Sequence, residues 1–227
     1  MNEKKFREEV AFWEIWVSSW GLQWEEDFLL RIKPNLDLQE SKAAWICDYL
    51  DEDLKDIHLL DVGAGPLTIL GKYWNENKLR ITPIDPLAQQ YREILRKNKI
   101  TPIIPTIYGK GETLCEQFSK NSFELVFARN SIDHSQNPLK CIEQMLEVVK
   151  KGSYVLLTHK QNEGKKQHYQ GLHQWNFSLN TRKNLLLWNK NTQINLNEYF
   201  ENKAEIQSWL DFSQDYLYTS LKKQNPP

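Results

Sequence analysis

The stretch Ile57-His-Leu-Leu-Asp-Val-Gly-Ala-Gly-Pro-Leu-Thr68 decides how this chain is read. Ile57, Leu59, Leu60 and Val62 form a short apolar run, the pattern of a parallel strand covered on both faces. Asp61 stands near its carboxyl end. Gly63 and Gly65 then allow a sharp turn and a close approach of backbone to a ligand. Thr68 onward is expected to enter a helix through Ile69, Leu70, Tyr73 and Trp74. Such a turn lies at the carboxyl edge of an open α/β sheet, where ligands bind. Gly63-x-Gly65-x-x-Thr68 is an incomplete dinucleotide fingerprint, because Thr68 replaces the third small residue. Asp85, about twenty residues further on, strengthens it. It ends the run Arg80-Ile-Thr-Pro-Ile-Asp85 and can accept two ribose hydroxyls. An ordinary strand–helix turn with a surface Asp is the plainer alternative.

Working outward toward the N-terminus, Phe6, Val10, Trp13, Val17 and Trp20 recur at alternating spacings of four and three. That is one apolar stripe on a helix from residue 3 to about 20, ended by Gly21. Trp24 and Phe28 belong to a second short segment closed by Pro34. The clustered Trp13, Trp16, Trp20 and Trp24 either dock this region on the core or form a lid over a pocket. A further helix is expected from Asp37 to about Leu50.

Toward the C-terminus, Pro86 suits the first turn of a helix carrying Leu87, Tyr91, Ile94 and Leu95. A strand is expected over Pro102–Ile107. The loop Tyr108-Gly-Lys-Gly-Glu112 opens a short helix through Phe118. Ser122–Arg129 reads as a strand, Pro138 starts a helix that ends through Lys150-Lys151-Gly152, and Tyr154–Thr158 reads as a buried strand. This alternation predicts a doubly wound, Rossmann-like, mainly parallel α/β sheet. Gln161–Gly171 is polar and loop-like. Trp175–Leu179 with Leu185–Trp188 suggests a hairpin. Ala204–Leu210 with Tyr216–Leu221 suggests a closing antiparallel pair, followed by a frayed tail at Asn225–Pro227.

The whole chain, 1–227, is expected to be one domain: N-terminal helices over 1–50, a core over 57–159, and a loop with closing hairpins over 160–227. A net charge of −1 gives no bias toward polyanions, so no nucleic-acid partner is expected. No apolar run spans a membrane and no secretory signal is visible, which points to the cytoplasm. Cys47, Cys115 and Cys141 are odd in number and lack paired spacing, as for small core residues in a reducing compartment. No metal is expected, and the sequence does not specify an oligomeric state.

These motifs resemble the class I S-adenosylmethionine-dependent methyltransferases. The resemblance covers Ile57 to about Thr158. The family's first motif matches Asp61-Val-Gly-Ala-Gly65, its acidic second motif Asp85, its third Gly109-Lys-Gly-Glu-Thr-Leu114, and its fourth Phe123–Phe127 through Asp133-His134. It implies S-adenosylmethionine as cofactor and S-adenosylhomocysteine as product. The cofactor-binding residues implied are Asp61, Gly63, Ala64, Gly65, Pro66, Asp85, Pro86, Leu87, Gly111, Glu112, Arg129 and Asn130. Many relatives carry an Asp at the position of Lys110 to accept from the adenine amino group. Lys has no acceptor, so Gly111 or Glu112 would have to serve.

Phe12-Trp-x-x-Trp16, Gly21-Leu-x-Trp24, Ala128-Arg-Asn130 and Gly171-Leu-His-Gln-Trp-Asn-Phe177 resemble a narrower bacterial group associated with surface-polysaccharide synthesis. That implies O-methylation of a small carbohydrate-related acceptor. A neutral hydroxyl must lose a proton, and His is the usual base near pH 7. His134 and His173 are the two candidates. His159, Asn162, Gln174, Trp175 and Asn176 are the candidate acceptor contacts. A non-catalytic cofactor-binding partner and a dinucleotide-dependent oxidoreductase are the alternatives.

Overall fold

The computed structural model describes residues 3–224, so the tail expected at Asn225–Pro227 lies outside the described residues. The elements in chain order are α1 (Glu3–Ser18), α2 (Glu25–Ile32), β1 (His58–Val62), β2 (Tyr73–Trp74), β3 (Asn77–Lys78), β4 (Arg80–Asp85), α3 (Ala88–Lys97), β5 (Ile107–Tyr108), α4 (Leu114–Gln117), β6 (Phe123–Arg129), α5 (Pro138–Val148) and β7 (Val149–Lys160). They continue with α6 (Glu163–Lys166), β8 (Asn176–Leu179), β9 (Leu185–Trp188), β10 (Gln193–Asn195), α7 (Leu196–Tyr199), β11 (Ala204–Asp211) and β12 (Tyr216–Lys223). Seven strands form one mainly parallel sheet with helices beside it, the Rossmann-like class expected. The described residues form two compact units, one up to Lys110 and one from Gly111 onward.

In the first unit the strand order is β1–β4–β5, all parallel. Leu59 and Leu60 of β1 are fully buried, which explains the uninterrupted apolar run. α1 and α2 join α3 in one cluster of Trp16, Val17, Phe28, Leu67, Leu87, Tyr91, Ile94 and Leu95. Each fully buried aliphatic side chain there contributes about 1.5–3 kcal/mol. Trp20, expected on the buried stripe, is 55% exposed, whereas Trp16 is 2% exposed. The helical ladder stops at Ser18 and the chain turns at Trp20 with φ +57°, so Trp20 leaves the stripe.

Three expectations in this unit are corrected. Residues 37–50 form only two 3₁₀ turns, Leu38–Glu40 and Ala44–Tyr49. Asp37 accepts from the Gln39 amide, and Ser41 Oγ donates to the Leu38 carbonyl while accepting from the Ala43 amide. These local bonds compete with the α-helical ladder. The chain after the glycine turn is also not a helix, and Tyr73–Trp74 pairs with Asn77–Lys78 as a hairpin. Thr68 Oγ1 donates to Asp61, and the amides of Lys72 and Tyr73 both donate to the Leu36 carbonyl. Gly71 fits against Leu38 so closely that an added Cβ would stand 2.4 Å from its backbone. Finally, the strand expected over 102–107 shrinks to Ile107–Tyr108, since Pro102 and Pro105 supply no amide to a ladder. Pro86 precedes α3 by two positions, with Leu87 at the N-cap.

In the second unit the order is β11–β12–β7–β6. β6 and β7 run parallel, while β12 is antiparallel to both β7 and β11. β8, β9 and β10 make a separate antiparallel sheet that includes the expected hairpin. α5 packs on β6 and β7 through Cys141, Ile142, Met145 and Val148. Pro138 occupies its first turn, and Asn137 caps the Lys140 amide. Its far end is a correction. Lys150, Lys151 and Gly152 belong to β7, because the Glu147 and Val148 carbonyls accept from the Asn121 and Ser122 amides, and Lys223 Nζ donates to Glu147 and Val149. The polar segment after β7 contains the single turn α6.

Candidate functional site

The first unit holds the glycine cradle. The Gly63 and Ala64 amides both donate to the Ile84 carbonyl, at 2.9 and 3.0 Å, which curls the chain at the end of β1. Gly63 and Gly65 have φ of +73° and +66°, a region glycine enters without steric cost. Asp85, at the end of β4, spans the turn and the start of α3. Its Oδ2 accepts from the Gly65 amide at 3.2 Å and its Oδ1 from the Leu87 amide at 2.8 Å. Thr106 Oγ1 donates to the Gly65 carbonyl at 2.8 Å. Burial pushes Asp85 up to about 7, although both amides act to lower it; Glu9 and Asp61 add to the rise.

Asp61 lies under the turn and accepts from Thr68 Oγ1 at 2.6 Å. Burial pushes its carboxyl up to about 6, opposed by Thr68, Arg31 and Lys72. Lys72 is itself buried, and its ammonium donates to the Leu70 and Arg31 carbonyls. Burial brings it down to about 8. The sequence reading overlooked this lysine, since a single Lys in an apolar stretch gives no periodic signal.

Among the remaining cradle residues, Ala64, Pro66 and Leu87 are buried and Pro86 is half-buried. From α1, the Trp13 ring faces the turn: an added Cβ on Gly65 would lie 3.0 Å from Trp13 Cζ2. The indole donates to Glu9 at 2.8 Å. Within this unit, then, part of the N-terminal helix stands at the glycine turn.

The second unit brings together both candidate bases. His134 ends a single 3₁₀ turn, Ile132–His134, after β6. His173 lies in the loop between α6 and β8. Their Nε2 and Nδ1 atoms are 3.0 Å apart. Asp133 Oδ2 lies 3.6 Å from His134 Nε2 and 4.0 Å from His173 Nδ1. His159, near the end of β7, is buried, stacks on Phe177, and points Nε2 at Asp133 Oδ1 across 3.7 Å. Burial works to raise Asp133, but His134, His173 and His159 outweigh it and hold the carboxyl at about 2. Burial lowers His159 to about 4, against the pull of Asp133. Sequence reading noted Asp133 only as a neighbour of His134; its convergence with His159 and His173 has no local signature.

Other candidates have partners within the same unit. Gly111 is buried, and Glu112 accepts from the Gln136 amide at 3.0 Å. Arg129 lies over the Tyr216 ring, 5.2 Å from its centre, and Asn130 Nδ2 donates to the Tyr216 hydroxyl at 3.2 Å. Lys160 Nζ sits 4.4 Å from the same ring. Burial acts to raise the Tyr216 phenol, yet Arg129, Asn130 and Lys160 together bring it below its usual range. Tyr216 is the other residue overlooked in the sequence. Gln174 Nε2 donates to the Tyr169 and Gly171 carbonyls. Asn176 accepts from the Lys165 amide and donates to the Trp188 carbonyl, so both amides shape the loop. Asn162 adopts φ +58° and its amide donates to Phe177. Trp175 is half-buried, and its carbonyl accepts from the Gly164 amide.

No curated protein matches the chain in sequence. A family model described as a methyltransferase domain matches residues 60–157. Among solved structures, the chain resembles one from the complex between the Haloferax volcanii Trm112 methyltransferase activator and a methyltransferase. That match has 12% identity and a TM-score of 0.56, covering 97% of this chain and 98% of that one. An S-adenosylmethionine-dependent methyltransferase from Methanococcus maripaludis is also similar, at 12% identity and TM-score 0.51, with 81% and 83% of the two chains covered. These likenesses establish the fold, and the domain match sets aside the dinucleotide oxidoreductase. The strand–glycine turn and its buried acidic partner lie inside the segment matched by the methyltransferase domain, so the cradle belongs to a methyltransferase that uses S-adenosylmethionine.

Proposed function

We propose that this enzyme methylates a hydroxyl of a small acceptor, a sugar or a sugar-nucleotide or sugar-phosphate precursor of a bacterial surface polysaccharide, in the cytoplasm. The observation that carries this reading is the 3.0 Å meeting of His134 and His173 beside buried Asp133. The cofactor supplies the electrophilic methyl group. A neutral hydroxyl attacks it well only if its proton has somewhere to go. An imidazole oriented by a carboxylate provides that acceptor. His173 lies just before Trp175 in a loop that offers a flat apolar ring and several backbone groups, a suitable surface for a hydroxylated ring compound.

In this reading Asp61, Gly63, Ala64, Gly65, Pro66, Asp85, Pro86 and Leu87 serve the cofactor. Asp85 exchanges its bonds to the Gly65 and Leu87 amides for ribose hydroxyls, or shares them. Gly111 and Glu112 serve the adenine side, and Arg129 and Asn130 an anionic group. Trp175, with His159 and Asn162, serves the acceptor, while Gln174 and Asn176 act mainly by shaping its loop.

The test is a panel of nucleotide sugars, sugar phosphates, peptides and RNA offered with S-adenosylmethionine and scored by mass gain of one methyl. Methylation confined to hydroxyls of the sugar compounds is expected. Turnover on peptide or RNA without any sugar product would overturn the acceptor class. Among the described residues no helix is long and apolar enough to cross a membrane.

A further inference from the structure

The Asp133 cluster contains more ligand atoms than a proton relay needs. One oxygen of Asp133, the Nε2 of His134 and the Nδ1 of His173 lie within 4.8 Å of one another. The individual separations are 3.0, 3.6 and 4.0 Å. Two further atoms beside them are buried without a hydrogen-bond partner: Asp133 Oδ1 and His159 Nε2. Asp133 is 3% exposed and His159 2%. Buried polar atoms left unsatisfied cost free energy and are uncommon, so two in one cluster call for an explanation. A hydrogen bond between His134 and His173 accounts for the 3.0 Å contact but leaves both atoms unexplained.

A cation accounts for the convergence of Asp133 Oδ2, His134 Nε2 and His173 Nδ1, and leaves Asp133 Oδ1 and His159 Nε2 facing each other across 3.7 Å as a pair that orients the carboxylate. Donors bound at about 2.0–2.1 Å to a tetrahedral or octahedral ion lie about 2.8–3.4 Å from one another. The observed triangle reaches that size by closing a few tenths of an ångström on two edges. Two imidazoles with one carboxylate favour borderline transition metals over magnesium or calcium, which prefer oxygen. Three protein ligands also leave a coordination position open. We propose that Asp133, His134 and His173 bind a divalent transition-metal ion of the zinc type, with His159 positioning the carboxylate through its second oxygen. Residues that orient a metal-bound carboxylate in this way are common around such sites. An ion there would acidify an acceptor hydroxyl bound at its open position, and the proton would then pass to solvent water as the alkoxide attacks the methyl group.

The experiment titrates zinc chloride into tag-free, chelator-stripped full-length protein by calorimetry, and repeats the titration with cobalt(II) followed by visible absorption. One equivalent is expected, with nitrogen-ligated cobalt bands. His134→Gln and His173→Gln should each weaken binding by more than about 100-fold, and His159→Gln by about 10- to 100-fold. Circular dichroism and cofactor titration on the same samples establish that each variant is folded. No uptake by the wild type, or equal affinity in folded His134→Gln and His173→Gln, would reduce the cluster to a hydrogen-bonded imidazole pair. No acceptor enters this measurement, so its outcome is separate from that of the sugar panel.

Discussion

The cradle and the histidine cluster each bury carboxylates, and they move them in opposite directions. Asp85 and Asp61 are pushed up to about 7 and 6, whereas Asp133 is held at about 2. All three are almost fully buried. What differs is the partner. Asp85 receives two backbone amides and Asp61 one hydroxyl, with Arg31 and Lys72 acting on it more weakly. Neutral donors at these sites do not offset the cost of removing a charge from water. Asp133 faces three imidazoles, and their combined attraction reverses the sign. The cradle therefore stores a carboxylate in want of further donors, as suits a ribose site. The cluster stabilises a fixed negative charge, as suits orienting imidazoles or holding a cation.

The strongest way to break this comparison is to remove the imidazoles. His134→Ala and His173→Ala should each lower turnover by about 10²- to 10⁴-fold with cofactor affinity nearly unchanged. Steady-state rates beside cofactor calorimetry decide it. If both variants turn over at wild-type rates, the cluster has no part in the chemistry. If only His134→Ala is impaired, proton removal belongs to the end of β6 alone.

A second test concerns the sign of the Asp85 shift. Its folded value is raised above the ordinary value near 3.8, so between about pH 4 and 7 the folded state holds the proton more tightly than the unfolded chain. The stability linked to Asp85 is fully present below pH 4 and is lost as pH rises through about 7. Asp85→Asn removes this titration. The stability of the wild type relative to Asp85→Asn, from urea unfolding without cofactor, should therefore fall between pH 4 and 8 by up to about 4 kcal/mol. A flat difference, or one that rises with pH, would remove the contrast with Asp133.

The smallest of these effects sharpens the ribose assignment. Asp85→Ala should weaken S-adenosylmethionine binding by about 1.5–3 kcal/mol, the worth of hydrogen bonds to a charged group. Calorimetry on the folded variant measures it directly. Unchanged affinity would mean that Asp85 only closes the turn onto Gly65 and Leu87.

Local physics explains which expectations were legible. A run such as Leu59-Leu60-Asp61-Val62 identifies a strand because both of its faces need cover, and positive φ at Gly63 and Gly65 follows from residue type. The stripe of Phe6, Val10, Trp13 and Val17 likewise announced a helix with a buried face. Ile69–Trp74 has an apolar composition that fits either a helix or an extended segment. Its conformation is decided by Leu36, which lies far back in the chain and accepts from Lys72 and Tyr73. Residues 37–50 misled for a related reason: Asp37 and Ser41 bond to nearby backbone and divert the helix that their neighbours favour.

The sequence by itself determined the parallel α/β class, the glycine turn with Asp61, the acidic Asp85 at its proper distance, and His134 and His173 as the two candidates for removing a proton. All of these rest on residue type, short-range periodicity or fixed spacing. Only the tertiary structure decided that His134 and His173 meet, that Asp133 stands between them and His159, and that Lys72 is buried near Asp61. Those contacts join β6, β7 and the loop after α6, or α2 and the segment after the glycine turn. Residues separated by 26 to 41 positions are brought together by packing, and burial then sets the charge that each group carries.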